Sequence, residues 1–239
     1  MGSTGSGGKK STALDVSGLS ETEAKNKMID LQIAMGQTGL EAGDPNLNPD
    51  GKLYVNTGKA WVINTYLNSD GQTMDTPGTD WDDLISESWV KQAIKKIDSG
   101  MKPLTQDLKV SRFIDGDQLG AMLGMGGTNN STVNKLIEAL ENKSEYPIVN
   151  KKFKDVLSKA DYTHKAYTST TYSGKHGSYD QYPVKLEITA KKGTPAIITN
   201  NWAEHEVLLG KKQKYNFSKN YKIETLPNGK KQLVIQVTI

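Results

Sequence analysis

Apolar residues change their spacing along the chain near residue 105. Before that point they recur at helical intervals. In "SGLSETEAKNKMIDLQIAMG" the pattern predicts a helix whose start carries a capping box, with Ser20 as N-cap and Glu23 three positions into the helix. "GKAWVINTYLNSDG" sets Trp61, Ile63 or Asn64, and Leu67 at helical spacing and stops on a glycine. "TDWDDLISESWVKQAIKKIDSG" reads as one helix with the stripe Trp81, Leu84, Ile85, Trp89, Ala93 and Ile97, acids early, lysines late and Gly100 as its end. Past Pro103 the runs shorten and become β-branched or alternating: "LKVSRFI", "KAYTSTTY", "YPVKLEITA", "PAIITN", "EVLL", "KYNF", "YKIETL" and "KQLVIQVTI". "STVNKLIEALENK" interrupts them as a capped helix. Helices followed by strands imply an α+β fold with an antiparallel sheet. Residues 1–18 are rich in Gly, Ser, Thr and Lys and read as a flexible tail. Residues 19–239 then form a single domain, mostly helical over 19–105 and β-rich over 106–239.

Composition narrows the chemistry. The chain has no cysteine, which removes disulfides, thiolate metal sites and a cysteine nucleophile. Its three histidines, His164, His176 and His205, do not pair at metal-ligand spacing, so no metal centre is expected. The net charge of +3 hides an asymmetry: residues 1–100 carry 9 Lys against 14 acids (−5), and residues 101–239 carry 21 cations against 13 acids (+8). That surplus suits an anionic ligand, and equally an ordinary solvated lysine surface. The lysines do not interleave with aromatics along one element, so no nucleic-acid partner is expected. "GSGGKKST" fails the phosphate-loop spacing and follows no strand. With no apolar leader and no long apolar run, the chain is expected to have no membrane span and to act as a monomer in the cytoplasm of the producing or a target cell.

Three short stretches carry candidate chemistry. Arg112, in "LKVSRFIDG", is the only arginine among 30 cationic residues. A guanidinium offers a planar fork that grips phosphate or carboxylate bidentately, so Arg112 suits a structural ion pair or a ligand clamp. In "AYTSTTY", Ser169 and Thr171 fall on one strand face and Thr168 and Thr170 on the other. Such hydroxyls serve cross-strand pairing or orient a polar group in a cleft. In "NWAEHEVLL", Glu204 and Glu206 stand two apart, which at strand spacing turns both carboxylates the same way and His205 the other. Two like charges on one face raise each other's pKa. They are either a solvated pair balanced by Lys211, Lys212 and Lys214 or a functional pair at the entrance to the core.

An arginine on a strand, then S-T-T on a strand, then E-x-E before a "VLL" strand resembles the arginine-serine-glutamate class of mono-ADP-ribosyltransferases, which includes clostridial binary toxins and phage-encoded enzymes. The resemblance covers most of 58–239. "WVINTYL" is similar to that family's helical "IN-x-x-L" segment, and "YPVKLEITAKKGTPAIITNNWAEHEVLLGKKQKYNF" resembles its strand, "KG-x-P" turn, E-x-E and following strand. It implies two antiparallel sheets with a helical N-terminal part packed on them, and an NAD cleft between the sheets.

Carried over residue by residue, the resemblance implies that Arg112 grips the NAD phosphates, and that Ser169 holds Glu206 toward the nicotinamide ribose. Thr170 and Thr171 would support the strand, and Asn64 would help bind the dinucleotide. Tyr179, with Tyr182 as its rival, would lie against nicotinamide. Trp202 would help choose the substrate, and Glu204 would engage an arginine acceptor on a protein partner. NAD would serve as co-substrate, without a metal. Three positions depart from the family pattern: Thr171 replaces the commoner serine, no glycine follows Arg112, and Ala60 stands where toxin relatives carry an aromatic. The alternatives are an NAD glycohydrolase, with water as acceptor, and a non-catalytic NAD-binding or virion component of the same fold.

Overall fold

Helix α1 (Glu21–Ala34) starts as its sequence dictates: Ser20 Oγ accepts from Glu23 N–H at 3.4 Å, and the Glu23 carboxylate accepts from Ser20 N–H at 3.1 Å. The computed structural model describes residues 12–42, 57–73, 85–125, 131–141, 146–175 and 177–239. Helix α2 (Thr57–Asn68) follows, ahead of α3 (Glu87–Gly100). The third helix begins later than its apolar stripe predicts, because Ser86 takes the N-cap and accepts from Trp89 N–H at 3.2 Å. Ile85 is therefore buried ahead of the helix, whereas Ala93 and Ile97 are buried within it as expected. Trp81, Leu84, His176 and the turn-rich connector after Ala42 lie outside the described residues.

The remaining elements are β1 (Lys102–Pro103), β2 (Leu108–Ile114), α4 (Gly116–Met122), α5 (Ser131–Glu141), α6 (Tyr146–Lys159), β3 (Tyr162–His164), β4 (Thr168–Thr171), β5 (Val184–Ala190), β6 (Pro195–Ile198), β7 (Glu206–Leu209), β8 (Gln213–Thr225) and β9 (Lys231–Thr238). Helices α4 and α6 are absent from the sequence reading, although each carries a signal. A second capping box, Asp115 with Gln118, opens α4. In α6 the buried Phe153 and Leu157 sit four apart and pack toward β8, where Phe153 meets the Tyr221 ring edge-on at 5.1 Å. "KYNF" and "YKIETL", read as separate strands, are one strand, β8, with an irregularity between Phe217 and Tyr221.

The strands hydrogen-bond in the order β1-β6-β7-β4-β2-β5-β9-β8-β3. The two expected sheets are two arms of this order, joined where β2 meets β4 at the single register Ser111↔Thr171. Pairing is antiparallel except between β5 and β9. One packing cluster draws its sheet residues from a single arm, and a larger one spans both. Ile197 and Leu208 form one cluster with Val62 and Ile63 of α2 and Val90, Ala93 and Ile97 of α3. Their strand neighbours Ala196, Ile198, Val207 and Leu209 turn the other way, into the larger cluster with Met28 and Leu31 of α1. The β6–β7 hairpin is thus covered on both faces, which is why "VLL" is uniformly apolar.

Part of the stretch read as a flexible tail is docked. Leu14 makes an isolated parallel bridge to Leu108, with Leu14 N–H donating to Asp107 O at 2.8 Å, and Val16 is buried in the larger cluster. Apolar side chains at 14 and 16 anchor residues 12–18 to β2, against their Gly/Ser-rich surroundings.

Candidate active site

Where the two arms part, a groove of about 500 Å³ opens between α2 and strands β2, β4 and β7, an ordinary size for a small-molecule or cofactor site. Arg112, Ser169, Thr170, Tyr179, Tyr182, Glu204, Glu206 and Asn64 all line it. The sequence-predicted residues converge because of register. Antiparallel pairing of β4 with β7 sets Thr171 opposite Glu206 and Ser169 opposite Leu208, so Ser169 and Glu206 share a face.

Glu206 is held from two sides. Ser169 Oγ donates to its Oε1 at 2.7 Å, and Thr199 Oγ1 lies 3.3 Å from its Oε2. The side chain is only 3% exposed, and burial drives its pKa upward, with the Glu204 charge adding to the rise. Hydrogen bonds from Ser169, Thr199 and Asn201 oppose that rise by favouring the ionised form. Glu204 is exposed and accepts from Asn201 Nδ2 at 2.9 Å.

The two glutamates do not meet through strand geometry. Residues 202–205 form a turn, and His205 adopts the left-handed conformation, φ +53°. Both carboxylates reach the groove because the chain reverses its hand between them. The His205 ring packs on the far side, edge-on to Tyr172 at 5.1 Å. Turned away as the alternation implied, it is held there by the turn instead.

Arg112 extends from β2, and its Nη1 is buried without a hydrogen-bond partner among the described residues. Its charge is felt by Tyr162, His164 and Tyr215. His164, 6% exposed, is pushed down to about 4 by burial, with the Arg112 charge as second cause. Its Nδ1 pairs with Tyr162 OH at 2.7 Å, and its Nε2 lies 3.3 Å from Tyr167 O. The imidazole is therefore neutral at ordinary pH, with Nε2–H donating to the carbonyl and Nδ1 accepting from the phenol. A guanidinium without a carboxylate partner is an anion site in waiting.

Three further candidate residues make contacts around the groove. Thr171 is fully buried, and its hydroxyl contacts Ser173 Oγ and Lys175 O at 3.1 Å each. Thr170 Oγ1 donates to Val207 O at 2.7 Å, fastening β4 to β7. Trp202 turns away from the groove, packs against the larger core cluster and carries Lys25 Nζ 5.1 Å above its ring. It lies in the turn but commits its face to α1. Thr199, Asn201, His164 and Trp61 escaped the sequence reading as site residues. Only the register Ile198↔Val207 brings Thr199 to Glu206. Among the described residues, no cluster of His, Asp or Glu could hold a metal ion, and no helix is long and apolar enough to cross a membrane.

Comparison with known proteins bears on the fold and the family. No curated protein matches the chain. The fold is that of Plx2a, an ADP-ribosyltransferase toxin from Paenibacillus larvae, at 20% identity and TM-score 0.60 over 94% of this chain and 98% of that one. C3stau2 from S. aureus, solved with NAD, matches at 18% identity and TM-score 0.63 over 95% and 97%. The ADP-ribosylating toxin BECa of a C. perfringens binary enterotoxin, solved with NADH, matches at 19% identity and TM-score 0.66 over 95% of this chain and 50% of its own. The model of the ADP-ribosyltransferase exoenzyme family matches residues 52–239. The groove gathers a hydroxyl-held, buried glutamate and an arginine with no carboxylate partner among the described residues, and the match over residues 52–239 makes the chain a member of the ADP-ribosyltransferase exoenzyme family.

Proposed function

We propose that the chain transfers ADP-ribose from NAD to an arginine side chain of a protein. The observation that carries the reading is the pairing of two features in one groove: the Ser169–Glu206 hydrogen bond at 2.7 Å and the buried, unpartnered Nη1 of Arg112. The first fixes a carboxylate in one orientation; the second leaves a planar cation free for a diphosphate.

Bound NAD supplies the ADP-ribosyl group, and its nicotinamide leaves neutral with the electron pair of the broken C–N bond. Arg112 holds the diphosphate, helped by Asn64 from α2, and Tyr179 lies against nicotinamide. The Glu206 carboxylate, aimed by Ser169 and Thr199, stabilises positive charge that develops on the ribose; a preorganised charge of this kind lowers the barrier rather than only tightening binding. Thr170 and Thr171 keep β4 in register beneath it. Exposed Glu204 meets the acceptor guanidinium, orients it and receives the proton released when its nitrogen forms the new C–N bond.

Incubation of the purified protein with NAD tests this through nicotinamide release and through label on agmatine. Glu206→Gln is expected to abolish both. Glu204→Gln is expected to lose transfer at least tenfold, within the usual weight of a general base, while still releasing nicotinamide. Label appearing on a side chain other than arginine rejects the acceptor. Absence of nicotinamide release rejects an enzyme altogether.

A further inference from the structure

Building on that reading of the acceptor, we infer that Trp61 is the platform on which the target's guanidinium stacks, whereas the family resemblance gives substrate choice to Trp202. Trp61 projects from α2 into the groove yet is 56% exposed, and its ring meets no other aromatic or cation among the described residues. A large apolar surface left in water at the mouth of a polar groove suits a ligand with a flat, weakly hydrated face.

Its position along the groove selects which ligand. Ala60, Trp61, Asn64, Thr65 and Asn68 all line the groove, so α2 lies along it and not across it. The C-terminal end of α2 is pinned to the β3–β4 connection, where Lys165 Nζ meets Asp70 Oδ2 at 2.6 Å. That connection adjoins His164, at the Arg112 end. Trp61 lies seven residues before Asn68, about 10 Å back along the helix axis. Trp61, exposed Glu204 and Glu206 line this one groove. An exposed indole face and an exposed carboxylate lining one groove are complementary to a guanidinium: the ring attracts the cation, and the carboxylate accepts its N–H fork. Trp202, by contrast, does not line this groove and carries Lys25 over its ring.

Three variants test the assignment. Trp61→Ala is expected to raise the KM for agmatine roughly five- to tenfold and to lower the ratio of transfer to nicotinamide release, as loss of one cation–π contact implies. Trp61→Phe should recover most of the loss. Binding gives a second readout, independent of turnover: agmatine should quench tryptophan fluorescence in the wild type and in Trp202→Phe, but not in Trp61→Phe. An agmatine KM unchanged in Trp61→Ala overturns the inference alone. A rise in the KM for NAD matching that for agmatine also overturns it, because the ring then serves the adenine. Wild-type protein that releases nicotinamide but labels no guanidine compound overturns the arginine reading, and this inference with it.

Discussion

His164 should make the protein acid-sensitive in a defined window. The imidazole is nearly fully buried, and its pKa is pushed from 6.5 down to about 4, chiefly by burial and then by Arg112. The unfolded chain therefore binds a proton between those values that the folded chain refuses. Stability is complete above about pH 6.5 and falls as the pH drops toward 4, with a slope of about 1.4 kcal/mol per unit for one proton. Over the 2.5 units between 6.5 and about 4, the loss is about 3 kcal/mol. That is a large share of the stability of an ordinary domain. His164→Gln keeps a polar group able to reach Tyr167 O but has no proton to gain. Urea unfolding of both proteins at pH 7.5 and 4.5 isolates the effect, since every other titrating group cancels in the difference. The wild type should lose about 2–3 kcal/mol more than the variant on acidification. Equal losses would refute the reasoning, because they would require His164 to accept its proton in the folded state. The consequence for the site is direct: an imidazole that stays neutral leaves Arg112 as the sole cation lining the groove among the described residues, so anion affinity there should be flat from pH 6 to 8.

Further expectations concern the groove and its support. Arg112→Lys should weaken NAD binding tenfold or more by equilibrium dialysis, because a point charge replaces a fork at a buried site; unchanged affinity would remove Arg112 from the diphosphate. The acid limb of the pH–rate profile should follow Glu206, whose pKa lies above the usual glutamate range, so activity rises with pH through it. Ser169→Ala removes a bond that favours the carboxylate and should shift that limb to higher pH, whereas a purely structural Ser169 would lower the rate without moving it. Gly39 sits at φ +86°, and a Cβ there would collide with Asn200 and Gln32, so Gly39→Ala should cost about 1–3 kcal/mol in thermal or urea unfolding.

The sequence by itself determined which chemistry the chain carries and most of the elements that hold it. Helical spacing and a capping box fix α1, alternation fixes β5, and a doubly apolar run fixes β7, because burial pattern follows directly from local periodicity. Order along the chain was enough to single out Arg112, Ser169 and Glu206. Tertiary structure decided the rest, because pairing register and handedness depend on residues far apart. Thr199 reaches Glu206 through a hairpin register. The left-handed His205, not strand alternation, turns Glu204 into the groove. Only packing shows that the one arginine lacks a carboxylate partner among the described residues, that Trp202 faces α1, and that Trp61 is left open at the groove. A local pattern records what a residue prefers; which neighbours satisfy that preference is set by contacts the pattern does not contain.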